Sequence, residues 1–443
     1  MNPNQEAIPQ NPTVSISSPC VIAIHSPQHA RAVVTIPQNS VDALYLGASR
    51  TCMHSTEAPG FSKGNIPLTY IQETFHTNII EHLEEFFLNY CVIASLYREA
   101  REQKLILTGN PKLVAMEVAP HHDALFTFDL SLCPAPDLGE WKYLPFKAPK
   151  RKNYKDLDRQ VSTFIQDELK AQASTTNATA EVGDWVHFSI ALINSEKQPL
   201  LSEQSPLVWL KIGDEEADSD FKELLFGLSI GNVISTENRA LQDYFSTSLS
   251  TDYTFQITIL DILKSSYFCF ESLKKQFRLK TNKDLHRKLI EVFSFRNDIS
   301  QRRSMADEAL RLILSRHRFS LPQSAITHQE ESLIERIKQN PDYHVYRNQT
   351  DFKVRVAQLA EKQARELILL TQIAYTEAIK ISDADIRWYL NLTNRPRMKD
   401  FIYFDAPITK VGGQELPLSN EQLKLGCLRE KALNHIVYHL TRE

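Results

Sequence analysis

The chain has 443 residues, with 50 Lys+Arg against 54 Asp+Glu for a formal net charge of −4, and 42% of its residues are hydrophobic. Such a chain is long enough for several cores, and the balance excludes collagen-like, disulfide-scaffold and disordered classes and gives no support to a nucleic-acid-coating surface. Only 12 residues are glycine, and neither G-x-x-x-x-G-K-[ST] nor G-x-G-x-x-G occurs, so nucleotide chemistry is not expected.

Residues 1–13 carry Pro3, Pro9 and Pro12 and read as a flexible tail without the basic start of a signal peptide. Val14 to Ile36 holds short β-branched runs, Val21–Ile24 and Val33–Ile36, expected as strands. Ala58 to Pro67 is a loop bracketed by proline and glycine. Leu68 to Gln103 has apolar residues at helical spacing, and strand-like pieces return at Leu113–Val118 and Leu125–Cys133. Pro134 to Pro149 is extended and ends in a basic run, Lys147–Lys152, read as a solvated linker. Leu157–Ala171 is an amphipathic helix.

Val186–Leu192 and Thr254–Leu260 alternate with the period of a sheet strand, and Asp220–Leu228 between them is a short helix, giving a small α+β domain. No glycine lies between Gly231 and Gly412, and glycine is avoided in helix interiors, so the second half is expected to be helical. Helices are predicted over Asn282–Phe293, Ser304–His317, Ser324–Gln339, Gln349–Lys380 and Glu421–Leu440, with Ser382, Asp383 and Asp385 opening one more. Gln349–Lys380 would span roughly 48 Å at the helical rise, long enough for a projecting arm.

Cys20, Cys52, Cys91, Cys133, Cys269 and Cys427 are scattered without a C-x-x-C, so no metal site is expected, and a reduced, cytoplasmic protein with structural thiols is. No run approaches the ~18 apolar residues of a membrane span. His435 and His439 are four apart on the last helix, but no carboxylate or third ligand is expected beside them.

At Gly60–Pro67 the chain reads G-F-S-K-G-N-I-P, which resembles the G-F-R-x-G-x-x-P docking loop of trigger factor, the bacterial ribosome-associated chaperone family. Cys133–Lys142 is similar to that family's exit segment from the N-terminal domain. The domain opening Val182-Gly183-Asp184, with Glu223–Gly231 inside it, resembles an inserted FKBP-type prolyl isomerase domain. Leu321-Pro322 and Leu428–Leu433 resemble the start and the closing helix of the C-terminal region. The resemblance runs in order from about Val14 to the C-terminus.

It implies an α+β multidomain fold. An N-terminal α/β ribosome-binding domain would occupy 14–135, and a linker and helix 136–180. An FKBP-like domain would occupy 181–264, and an all-α chaperone domain with long helical arms 265–443. It implies an ATP-independent chaperone with no cofactor, serving protein folding and export. Its partners would be the ribosome, through a tunnel-exit protein and rRNA, and unfolded nascent polypeptides. The family's homodimer off the ribosome is carried by no particular residue.

By the same resemblance Gly60, Phe61, Ser62, Lys63, Gly64 and Pro67 form the ribosome-binding loop, with Phe61 an apolar tip and Lys63 a cation facing phosphate or carboxylate. Ser62 stands where the family has arginine and brings no guanidinium fork, so reduced ribosome affinity is expected. Phe221 and Phe255 match a residual isomerase pocket. Asp218-Ser219-Asp220-Phe221-Lys222 replaces the family's apolar floor, however, and charge there opposes a prolyl ring. Weak or absent isomerase activity is expected. Plain core is the competing reading for Phe188, Phe221, Phe226 and Phe255. Two alternatives stay open: a free, ribosome-independent holdase or assembly chaperone, and a dedicated prolyl isomerase.

Overall fold

Alternation of apolar and polar residues builds the first layer. In the computed structural model, which describes residues 19–62, 64–149, 155–175, 179–194, 196–201, 204–296 and 298–442, four strands form one antiparallel sheet. They are β1 (Cys20–Ser26), β2 (His29–Ile36), β3 (Lys112–Glu117) and β4 (Ala124–Ser131), in the order β1-β2-β4-β3. Ala30, Ala32, Val34 and Ile36 on β2 and Ala124, Phe126, Phe128 and Leu130 on β4 bury one face. The expected tail 1–13 lies outside the described residues.

Helices α1 (Gln38–Ser55), α2 (Leu68–Thr74), α3 (His76–Phe87) and α4 (Ile93–Glu102) cover that face. The sequence reading missed α1 because its buried stripe includes Ser40 and Ser49, which blur the apolar period. The single helix expected over Leu68–Gln103 is interrupted. It breaks at Phe75 and widens into a π-helical turn over Leu88–Val92, which contains buried Tyr90, Cys91 and Val92.

Helix α5 (Lys155–Ser174) leads to a five-stranded antiparallel sheet. Its strands are β5 (Trp185–Ile193), β6 (Leu207–Lys211), β7 (Val233–Thr236) and β8 (Thr254–Leu263), with α6 (Ser219–Leu225) and α7 (Arg239–Phe245) between them. The side chains of β5 alternate: Val186, Phe188 and Ile190 join one core, whereas Trp185 joins another. The first core is continuous with that of the N-terminal sheet and its helices. Both faces of this end of the sheet are therefore covered, one by the N-terminal domain and one by the C-terminal helices.

The second half is largely helical: α8 (Phe270–Gln276), α9 (Asn282–Phe293), α10 (Gln301–Arg316), α11 (Gln323–Lys338), α12 (Tyr343–Arg347), α13 (Phe352–Thr376), α14 (Asp383–Thr393) and α15 (Asn420–Leu440). Helix α14 starts on a capping box: Asp385 accepts from the Ser382 backbone and hydroxyl, both at 2.8 Å. Helix α13 has 25 residues, about 37 Å at the helical rise, shorter than the expected arm because the chain turns at Glu377.

The expected all-α region also carries strands. Two short antiparallel pairs are β9 (Phe295–Arg296) with β10 (Ile299–Ser300) and β11 (Lys410–Val411) with β12 (Gln414–Glu415). Strand β13 (Leu418–Ser419) adds to the edge of the five-stranded sheet, Leu418 pairing with Trp209, so the last helix is hung from that sheet. Among the described residues no helix is long and apolar enough to cross a membrane.

Candidate functional site

The Ala58–Pro67 segment is two consecutive turns. Phe61 N donates to Ala58 O at 3.1 Å across Pro59-Gly60, and Gly60 takes φ +87°. Proline then positive-φ glycine is the sequence of a type II turn. Asn65 N donates to Ser62 O at 3.0 Å, and Gly64 takes φ +82°. Buried Ala58 and Ile66 anchor the ends, and Pro67 caps the start of α2, where its missing N–H costs nothing.

The turns lift Phe61 outward. Its side chain is 40% exposed, with the ring 5.3 Å from that of Tyr70. Ser62 Oγ accepts from Asn65 Nδ2 at 3.0 Å, so the hydroxyl is tied within the loop. Lys63 lies outside the described residues. The loop has the form of an apolar knob held on a backbone frame.

The isomerase-pocket candidates are placed differently. Phe221 is 3% exposed and Phe255 is fully buried. Phe255 packs on Phe245 with ring centroids 5.7 Å apart, and Phe245 packs on Phe86 at 5.6 Å and Tyr90 at 5.1 Å. The aromatic cluster thus runs unbroken into the N-terminal domain. Phe188 is core, but Phe226 is exposed, which corrects the grouping of Phe226 with the core residues. Asp218 is buried and accepts from Glu215 N and Glu415 N at 3.3 and 2.7 Å, so this carboxylate closes a turn and ties β12 to it. Leu200 O accepts from Ser40 Oγ of α1 at 3.1 Å, a further bond between the two domains.

Sequence reasoning missed the polar junction beneath this cluster. His82 Nδ1 lies 2.9 Å from Ser246 Oγ and its Nε2 lies 3.2 Å from Tyr253 Oη. Burial pushes the His82 imidazole down to about 4, with Glu85 opposing. The available signal was the spacing His82, Phe86, Tyr90, one face of a helix aimed at a partner.

Part of the exposed apolar surface of the helical half gathers around one hairpin. Leu333, Val356 and Ala360 pack between α11 and α13, while Val345, Tyr346, Val354 and Leu359 are exposed around the same hairpin. His435 and His439 have ring centroids 4.4 Å apart, with Trp141 against both. Contrary to expectation a carboxylate is present: Glu377 Oε2 is 3.5 Å from His435 Nε2, but Lys142 holds it more closely, at 2.7 Å. Among the described residues no group of three or more His, Cys, Asp or Glu side chains forms a metal cluster.

The family model described as "Bacterial trigger factor protein (TF)" matches residues 22–164. The trigger factor of Clostridium kluyveri is 22% identical over 402 residues, covering 86% of this chain and 89% of the relative. That of Clostridium tetani is 20% identical over 400 residues, covering 86% and 89%, and that of Lysinibacillus sphaericus 22% over 374 residues, covering 80% and 85%. A solved structure, described as "Promiscuous Substrate Recognition in Folding and Assembly Activities of the Trigger Factor Chaperone", aligns with 95% of this chain and all of that one at 15% identity, with a TM-score of 0.34.

Proposed function

We propose that this chain, which belongs to the trigger factor family, is an ATP-independent chaperone that docks on the ribosome through the Gly60–Pro67 loop and shields newly made polypeptides. The observation that carries this reading is the double turn that raises Phe61 into solvent at the front of the matched N-terminal domain. A rigid apolar knob beside a cation suits a ribosomal protein edge and adjacent rRNA phosphate, because the backbone frame limits the entropy lost on docking. Lys63 is the cation in this reading, and a tunnel-exit protein with rRNA is the partner.

Exposed Val345, Tyr346, Val354 and Leu359 are where we place the client segments. Transient cover of apolar surface limits aggregation without a nucleotide. Phe221 and Phe255 would be the remnant of an isomerase pocket now given over to packing. A homodimer away from the ribosome belongs to the same reading, and sedimentation velocity tests it.

Co-sedimentation with ribosomes over a salt series tests the docking. Wild type is expected to pellet at low salt, with Phe61→Ala and Lys63→Ala both weakened. No pelleting of wild type at any salt would remove the ribosome from the proposal.

A further inference from the structure

A cavity of about 510 Å³ lies among the ends of α8, α13 and α15, the first turn of α14, and α9 and α10. Its charge is one-sided: Lys275, Arg278, Lys288, Arg302, Lys380 and Lys431 line it against Glu377 and Asp385. Both carboxylates are taken. Asp385 is held by Lys431 at 2.9 Å and Glu377 by Lys142 at 2.7 Å. Lys288 pairs with Glu291 at 3.0 Å. Among the described residues Lys275, Arg278, Arg302 and Lys380 have no carboxylate within ion-pair distance.

Arg302 marks the deepest point. It is 2% exposed, and its guanidinium donates to Asn434 Oδ1. Asn434 Nδ2, also buried and lining the cavity, has no hydrogen-bond partner among the described residues. Glu291 and Glu430 act on this guanidinium only from beyond ion-pair distance, and a buried charge without a close partner is costly to keep, as is an orphaned amide donor. Both costs fall when an anion enters. The lining cations outnumber the two carboxylates, both already held by lysines, so the excess of unspent donors favours an anion over a cation. The planar fork of arginine with mobile lysines at the rim is the arrangement that grips a tetrahedral oxyanion.

We propose that this cavity binds a phosphoryl group, with Arg302 and the Asn434 amide at its floor and Arg278, Lys275 and Lys380 at its rim. It is unrelated to a glycine-rich phosphate loop and lies apart from the Gly60–Pro67 turn, so its failure would leave the docking proposal untouched.

The test is calorimetric titration of the full chain at constant ionic strength with inorganic phosphate, pyrophosphate and glycerol phosphate, with a thermal-shift series alongside. Saturable binding is expected, with a rise in melting temperature as ligand is added. The double variant Arg278→Glu/Lys380→Glu changes only exposed rim side chains, so it should fold, and it should bind roughly tenfold more weakly or worse. Tighter binding of glycerol phosphate than of phosphate would assign an esterified ligand, and the reverse a free anion; either supports the site. Absence of saturable binding by all three probes, or binding unchanged in the double variant, overturns it.

Discussion

Tyr90 and Leu192 lie on different domains and meet through one phenolic oxygen: Tyr90 Oη accepts from Leu192 N at 3.0 Å and donates to Ile190 O at 2.9 Å. A side chain from the π-helical turn thereby satisfies two backbone groups of β5. The five-stranded sheet is fastened to the N-terminal domain by a bond that replaces water on both partners.

Removing that oxygen should loosen the junction. Tyr90→Phe keeps the ring against Phe86 and Phe245 but leaves a buried N–H and C=O unmade, at a cost of about 1–3 kcal/mol. Denaturant unfolding should show the midpoint lowered. An unchanged midpoint would mean that the Tyr90 hydroxyl adds nothing to the packing and the other hydrogen bonds of the junction.

Acid should weaken the same junction. His82 has a folded value of about 4 against an ordinary 6.5, lowered first by burial, so its contribution is present above 6.5 and is lost as pH falls from there toward 4. The groups facing it are Ser246, Tyr253 and, through Ser246, Glu85. His82→Gln should flatten this part of the stability curve between about pH 7 and pH 5. If wild type and variant lose stability in parallel over that range, His82 is not the source.

Glu366 should act with the opposite sign. It is buried beside Tyr403 and Lys362, and burial raises its carboxyl to about 7. Its folded value is above the ordinary 4.5, so its contribution is present below 4.5 and is lost as pH rises through about 7. Glu366→Gln should therefore stabilise by roughly 1–3 kcal/mol near pH 8 and change little near pH 4.5. A variant equally or less stable than wild type near pH 8 would contradict this.

Restoring an arginine should tighten ribosome docking. Ser62→Arg loses only the Asn65 contact and gains a guanidinium beside Phe61. Binding should strengthen, and the slope of log affinity against log salt should steepen by about one phosphate contact. Identical salt slopes for the two proteins would mean that position 62 faces no phosphate.

Prolyl isomerase activity should be weak or absent. Catalysis by this type of pocket needs an open, dry recess for the prolyl ring, and Phe255 is packed against Phe245 instead. Proline-limited refolding of a model substrate should proceed at close to its uncatalysed rate. Acceleration comparable with an active FKBP-type enzyme would require Phe221 and Phe255 to become accessible.

What the sequence determined alone is chemistry confined to a few neighbouring residues. Pro59-Gly60 and Gly64 dictate the two turns because only certain residues take those backbone angles, and Ser382 with Asp385 dictates a helix start by bonding its free N–H groups. Strand alternation and the order of family motifs are legible for the same reason. The tertiary structure decided which faces are covered and by what. Tyr90 and Ile190 are 100 residues apart, and Leu418 pairs with Trp209 on a strand from the other half of the chain. Phe255 looks alike in sequence whether it floors a pocket or fills a core. The packing of Phe245, Phe86 and Tyr90 beside it makes it core. Burial depends on which surfaces exclude water from one another, and no local run of residues carries that information.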